Sequence, residues 1–103
     1  MASVKDITTA AELAELIDKG TVLLEFWAPW CSVCKTQGIV LEQVAVSAPA
    51  DVVIAKVNVD EARELSAQYG INTVPQMFLY CNGKEIFRSG SAGKAQLLAL
   101  FGA

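Results

Sequence analysis

Two apolar runs separated by a segment of helical spacing constrain the fold of this chain more than any other feature. The runs cover residues 21–27 and 52–59, and the second is rich in β-branched side chains. Both predict buried strands, whereas residues 32–47 between them predict a helix. Two strands of one sheet that are joined by a crossover helix run parallel. The sequence therefore favours an α/β fold in which helices cover both faces of a central sheet.

The other segments extend this unit to a mixed sheet. Asn82-Gly83 is a strong hairpin signal, so the last two predicted strands are antiparallel. The predicted strands cover residues 3–7, 21–27, 52–59, 74–81 and 84–89, and the predicted helices cover residues 11–19, 32–47, 61–69 and 94–101. We expect a single domain over residues 1–103, with a central mixed β-sheet of four to five strands flanked by four helices.

The composition excludes several classes of function. The chain has no histidine, which rules out Ser-His-Asp and Cys-His catalysis and imidazole metal ligands. Its net charge is −3 and its basic residues are scattered, so we expect no contact with nucleic acid or membrane. No apolar run approaches the ~20 residues of a membrane span, and residues 1–6 lack the apolar core of a secretory signal. The expected location is the cytoplasm, where thiols are kept reduced.

Two cysteines, Cys31 and Cys34, lie where the first apolar strand gives way to the following helix. A helix N-terminus presents unpaired N–H groups and the positive end of the helix dipole. A thiol placed there loses its proton more easily, and the thiolate is the reactive form. A second thiol one turn further along can close a small ring with the first. The spacing therefore predicts a redox-active pair at the carboxyl end of a strand, where sites of open α/β sheets lie.

Other interpretations of the cysteines remain open at this point. The pair could consist of buried, inert thiols. It could also bind zinc or an iron–sulfur cluster, although such sites normally need four ligands and only Cys81 and carboxylates are left to complete one. Cys81 itself, which lacks a companion, is either a spare thiol or the site of a regulatory or intermolecular disulfide.

Short motifs along the chain resemble those of the thioredoxin family in order and spacing. They are Phe26-Trp27-Ala28-Pro29-Trp30-Cys31, Cys34-Lys35, Val57-Asn58-Val59-Asp60, Tyr69-Gly70-Ile71, Val74-Pro75, Asn82-Gly83-Lys84 and Gly90. The resemblance covers nearly the whole chain and implies the thioredoxin fold. It also implies a thiol–disulfide oxidoreductase that reduces protein disulfides, needs no bound cofactor and is recharged by a flavoenzyme of the thioredoxin reductase type. We further expect a monomer.

The resemblance also implies roles for individual residues. Cys31 would be the exposed nucleophile and Cys34 the resolving thiol. Glu25 lies in the first apolar strand, on the same face as Leu23 and Trp27. Burial there should raise the pKa of Glu25, which could then take the proton from Cys34. Lys56 matches the lysine that the family places near this acid. The implied substrate-binding residues are Trp30, Ser32, Val33, Val59, Val74, Pro75 and Gly90, with Pro75 in the cis form.

Three departures from the family pattern accompany these matches. Ser32-Val33 stands where Gly-Pro is usual, Glu25 stands where aspartate is usual, and Gly38-Ile39 replaces a segment that commonly holds a kinking proline. Unlike proline, Val33 has a backbone N–H, and Ser32 adds a hydroxyl. If both donate toward the Cys31 sulfur, the thiolate is stabilised. The redox potential of the protein is then less negative than that of thioredoxin, which is about −270 mV.

The unusual dipeptide keeps two alternative functions open. One is a thioredoxin-fold protein with a narrow dedicated partner and a more oxidising or isomerising role. The other is a non-catalytic binding module, although such a module has no need of two cysteines and an internal acid.

Overall fold

A computed structural model of the chain, which describes residues 1–102, contains five strands and four helices. The strands are β1 (Ser3–Asp6), β2 (Thr21–Trp27), β3 (Val53–Asn58), β4 (Gln76–Cys81) and β5 (Lys84–Ser89), and the helices are α1 (Ala10–Ile17), α2 (Ser32–Ser47), α3 (Arg63–Gln68) and α4 (Lys94–Ala99). The order of elements predicted from the sequence is confirmed. The element bounds differ by up to two residues, and β4 begins only after Pro75, which has no N–H to donate to a strand ladder.

The strands form one sheet in the order β1-β3-β2-β4-β5. β2 is parallel to β3 and antiparallel to β4, so the sheet is mixed and β2 lies at its centre. The hairpin between β4 and β5 turns at Asn82 and Gly83, whose φ angles of 49° and 84° match the tight turn that this dipeptide favours. The chain leaves the carboxyl end of β2 toward α2, with Cys31 at the end of this connection and Cys34 in the first turn of the helix.

Side chains of β2 alternate between two apolar cores. Leu24 and Phe26 pack in the core with Leu13 of α1 and Leu65 of α3. Leu23 packs on the opposite face, in the core that contains Leu41 and Val44 of α2 and Leu97 of α4. Since successive strand residues point to opposite faces, Glu25 shares the face of Leu23 and lies beneath α2. Within residues 1–102, every helix is too short or too polar to cross a lipid bilayer.

Candidate functional site

Cys31 caps the N-terminus of α2 and is joined to Cys34 by a disulfide. The Cα atoms of the two cysteines are 5.2 Å apart. The Cys31 Sγ accepts a hydrogen bond from the Cys34 N–H at 3.1 Å, so a sulfur atom occupies the place of an N-cap oxygen. The sequence-based expectation of a pair at the first turn of a helix is met. A sulfur in this position lies at the positive end of the helix dipole, where a thiolate is stabilised.

The expectation that Cys31 is exposed is wrong for this disulfide form. Cys31 is 9% exposed and Cys34 is 4% exposed. The two cysteines form a small apolar cluster with Ala28, and Trp27, Val59 and Val74 pack against it. These neighbours cover most of the Cys31 side chain.

The two residues between the cysteines do not donate to the sulfur as expected. Among the hydrogen bonds of residues 1–102, the donor to the Cys31 Sγ is the Cys34 N–H, and neither Ser32 nor Val33 takes this role. The N–H groups of the second and third helical residues can reach an N-cap acceptor, and here it is the third, that of Cys34, which does so. Val33 instead projects outward and is 50% exposed.

A shallow apolar groove lies beside the cysteines. It has a volume of about 180 Å³ and is lined by Trp30, Val59 and residues 71–74. Trp30 is 70% exposed, and its indole N–H donates to the Asp60 Oδ1 at 3.3 Å, which orients the ring. Of these lining residues, the sequence had not indicated 71–73 as part of the site.

The backbone of Val74-Pro75 faces the disulfide. The peptide bond before Pro75 is cis, as the family resemblance implied, and the Val74 carbonyl oxygen lies 3.7 Å from the Cys31 Sγ. Gly90 is close to this backbone, since a Cβ placed on it would lie 3.7 Å from the Pro75 carbonyl oxygen. Of the predicted substrate-binding residues, Trp30, Val59 and Val74 line the groove and Pro75 and Gly90 adjoin it, whereas Ser32 and Val33 are not among the residues that line it.

Glu25 is fully buried beneath the active-site helix. Neither of its carboxylate oxygens has a hydrogen-bond partner within the described residues. Burial raises the pKa of Glu25 to about 7, and the positive charge of Lys56, which opposes this shift, only partly offsets it. A carboxyl group with this pKa can both accept and release a proton near neutral pH.

Lys56 is held beside Glu25 rather than free on the surface. The two residues are register partners on β3 and β2. The Lys56 Nζ lies 5.1 Å from the centre of the Trp27 ring, which is a cation–π contact. A Cβ on Gly38 of α2 would lie 3.8 Å from the same Nζ, so the ammonium group reaches the underside of the active-site helix.

Cys81 lies away from this site. It is a free, half-buried thiol at the end of β4, whereas the Val74-Pro75 backbone precedes the start of that strand. The two ends of this six-residue strand are five residue steps apart, a distance of about 17 Å. Cys81 is therefore too distant to complete a metal site with the cysteine pair, and residues 1–102 hold no cluster of three or more potential metal ligands.

Comparisons with known proteins agree with this geometry. The family model described as Thioredoxin matches residues 4–101. Thioredoxin from Chlorobaculum thiosulfatiphilum is 41% identical over 73 residues, which is 70% of this chain and 68% of that protein. The bifunctional thioredoxin reductase/thioredoxin of Mycobacterium leprae is 34% identical over 95 residues, which is 90% of this chain and 21% of that protein.

Solved structures give the same result. The X-ray structure of Fasciola hepatica thioredoxin superposes with a TM-score of 0.83 at 32% identity, covering 95% of this chain and 96% of that one. The mixed sheet with its four helices is thus the thioredoxin fold, and the disulfide lies beside the apolar groove. The chain belongs to the thioredoxin family and is a thiol–disulfide oxidoreductase that reduces protein disulfides.

Proposed function

We propose that this protein carries electrons to disulfide-containing protein substrates through Cys31 and Cys34, and that a flavoenzyme of the thioredoxin reductase type restores the dithiol. The observation that carries the proposal is the Cys31 sulfur, which caps α2 and packs against Val59 and Val74, two residues that line an apolar groove. The fusion of both activities in the Mycobacterium leprae relative supports a reductase partner. We further propose that the protein acts as a monomer in the cytoplasm, because one chain forms the whole groove and thiols stay reduced there.

In the first step, the reduced protein attacks its substrate. The Cys31 thiolate attacks one sulfur of the partner disulfide, the partner S–S bond breaks, and the other partner sulfur leaves as a thiolate that takes a proton from solvent. A mixed disulfide now joins Cys31 to the partner. Trp30, Val59 and the Val74-Pro75 backbone hold the partner polypeptide against the sulfur.

In the second step, the partner is released. Glu25, as the carboxylate, accepts the proton of the Cys34 thiol, directly or through water, and the Cys34 sulfur attacks that of Cys31. The mixed disulfide breaks, the second partner sulfur leaves and is protonated, and the internal disulfide forms. Glu25 then releases its proton to solvent. Counting that proton and the one that Cys31 gave up to form its thiolate, the protein has lost two electrons and two protons, and the partner has gained the same number. Lys56 tunes the proton affinity of Glu25 from its position on β3.

Reduction of insulin disulfides tests the proposal. With a thioredoxin reductase as the electron source, we expect rapid turnover of insulin by the wild-type protein. Turnover with dithiothreitol but not with the reductase would contradict the proposed flavoenzyme partner and favour a dedicated partner. A folded protein that reduces insulin with neither electron source would contradict the proposal as a whole.

The Ser32-Val33 dipeptide is expected to give the protein a redox potential that is less negative than about −270 mV, the value for thioredoxin. Although neither residue donates directly to the Cys31 Sγ, the Val33 N–H is one of the unpaired groups at the start of α2 that stabilise a thiolate. The double variant Ser32→Gly/Val33→Pro loses this N–H, and its potential should therefore be more negative. Equilibration with a glutathione redox buffer measures both potentials. A wild-type potential at or below about −270 mV would contradict the expectation.

A further inference from the structure

A buried glutamine on the active-site helix has no part in the mechanism above. Gln37 lies one turn beyond Cys34 on α2 and is 3% exposed. Its Nε2 donates to the Ala92 carbonyl oxygen at 3.0 Å, and its Oε1 accepts from the Ala92 N–H at 2.8 Å. One side chain therefore pairs with both backbone groups of a single residue. Burial of an amide is unfavourable without such partners, so this pairing is what makes a glutamine tolerable here.

These two hydrogen bonds connect α2 to a segment that lies beside the cis peptide. Residues 90–93, here called the 90–93 segment, link β5 to α4. At its first residue, a Cβ would lie 3.7 Å from the Pro75 carbonyl oxygen. The Val74 carbonyl oxygen in turn lies 3.7 Å from the Cys31 Sγ. A ring of contacts therefore runs from Gln37 through the 90–93 segment and the cis peptide back to the reactive sulfur.

Few local interactions fix the backbone conformation of the 90–93 segment. It begins and ends with glycine, which loses more conformational freedom on ordering than any other residue. Gly93 is also the N-cap of α4 and offers no side-chain cap to that short helix. Ala92, which lies between them, is the residue that Gln37 fixes.

We propose that Gln37 is a positioning residue that makes this protein selective for polypeptide disulfides over small disulfides. The inference rests on the proposed function, because it concerns the groove beside the same cysteines. A polypeptide partner has to lie along the backbone that flanks the sulfur, at Val74-Pro75 and Gly90, whereas a small disulfide needs only the sulfur. Ordering the 90–93 segment before the partner arrives lowers the entropy cost of binding an extended chain. The exchange chemistry of Cys31 itself is left unchanged.

A Gln37→Met variant tests this inference, since methionine keeps the length and unbranched shape but removes both hydrogen bonds. The rate constant of the reduced protein with insulin is expected to fall about fivefold, while that with hydroxyethyl disulfide changes less than about twofold. Hydrogen exchange of the Ala92 amide, followed by NMR, should become faster in the same variant. The ratio of the two rate constants is the critical readout, because a general loosening of the active site lowers both.

The matched control is Gln43→Met, which makes the same substitution at an exposed position of α2. It should leave both rate constants unchanged. Equal losses toward the two disulfides in Gln37→Met, or an unchanged ratio despite a freely exchanging Ala92 amide, would overturn the inference. If Gln37→Met does not fold, Gln37→Leu takes its place, because it also removes both hydrogen bonds and keeps an apolar side chain of similar size. An unchanged ratio in that variant would overturn the inference. A wild-type protein that fails to reduce insulin would instead refute the proposed function.

Discussion

A Cys34→Ser variant is expected to accumulate as a covalent mixed disulfide with its protein substrates. In this variant Cys31 keeps its place at the N-cap of α2 and still attacks a partner disulfide. The second step is blocked, because serine cannot displace the partner from the Cys31 sulfur. Turnover of insulin should fall on the order of a thousandfold or more, as is typical when a covalent nucleophile is lost. Non-reducing electrophoresis of the variant incubated with oxidised insulin would show the trapped adduct.

Two further variants separate the role of Cys34 from the roles of the other cysteines. Cys31→Ser should lose turnover to the same extent but trap no partner, because the remaining Cys34 is 4% exposed. Cys81→Ser should behave like the wild type, since that thiol lies at the far end of β4. Efficient trapping by Cys31→Ser would reverse the proposed roles of the two active-site cysteines.

The features that the sequence predicted well are local ones. The order of strands and helices follows from apolar periodicity and from Asn82-Gly83, each of which acts over a few residues. The placement of Glu25 beneath α2 follows from the strict alternation of side chains along β2. The position of Cys31 at a helix N-cap follows from the same reasoning, because a strand must end before the next helix begins.

The features that the sequence did not reveal depend on contacts between distant segments. Gln37 shows no pattern that separates it from an exposed glutamine, since its partner Ala92 is 55 residues away. Residues 71–73 reach the groove because the chain turns at Gly70, two residues beyond the end of α3 and with a φ of 66°, and then passes into a cis peptide. The low exposure of Cys31 has the same origin, because Val59 and Val74 come from other parts of the chain. Local periodicity carries no information about such contacts.

The buried carboxyl group of Glu25 is expected to make the free energy of unfolding depend on pH. A Glu25→Gln variant is expected to become progressively more stable than the wild type as the pH rises from about 4.5 to about 7. The pKa of Glu25 is raised from 4.5 to about 7 in the folded protein, so the folded state holds a proton that the unfolded state has released. Each pH unit in this window costs the wild type about 1.4 kcal/mol. Below the window both states are protonated and the cost disappears.

Above about pH 7 both states of the wild type are ionised, and the accumulated cost levels off at about 3 kcal/mol. Glutamine is neutral throughout, so any penalty for its unpaired amide is the same at every pH and does not alter the slope. Denaturant unfolding of the oxidised wild type and variant between pH 4.5 and pH 8 measures the difference. Glu15→Gln, at an exposed position of α1, is the control and should follow the wild-type curve.

A Lys56→Met variant extends the same test. Removing the positive charge that opposes the shift should raise the pKa of Glu25 further, so the loss of stability should continue to higher pH before it levels off. Parallel stability curves for the wild type and Glu25→Gln would mean that neighbouring charges stabilise the carboxylate enough to keep the pKa of Glu25 near its usual value in the folded state. The proton affinity of Glu25 would then be too low for it to take a proton from Cys34 effectively near neutral pH. The stability measurement therefore also tests the second step of the proposed mechanism without depending on an activity assay.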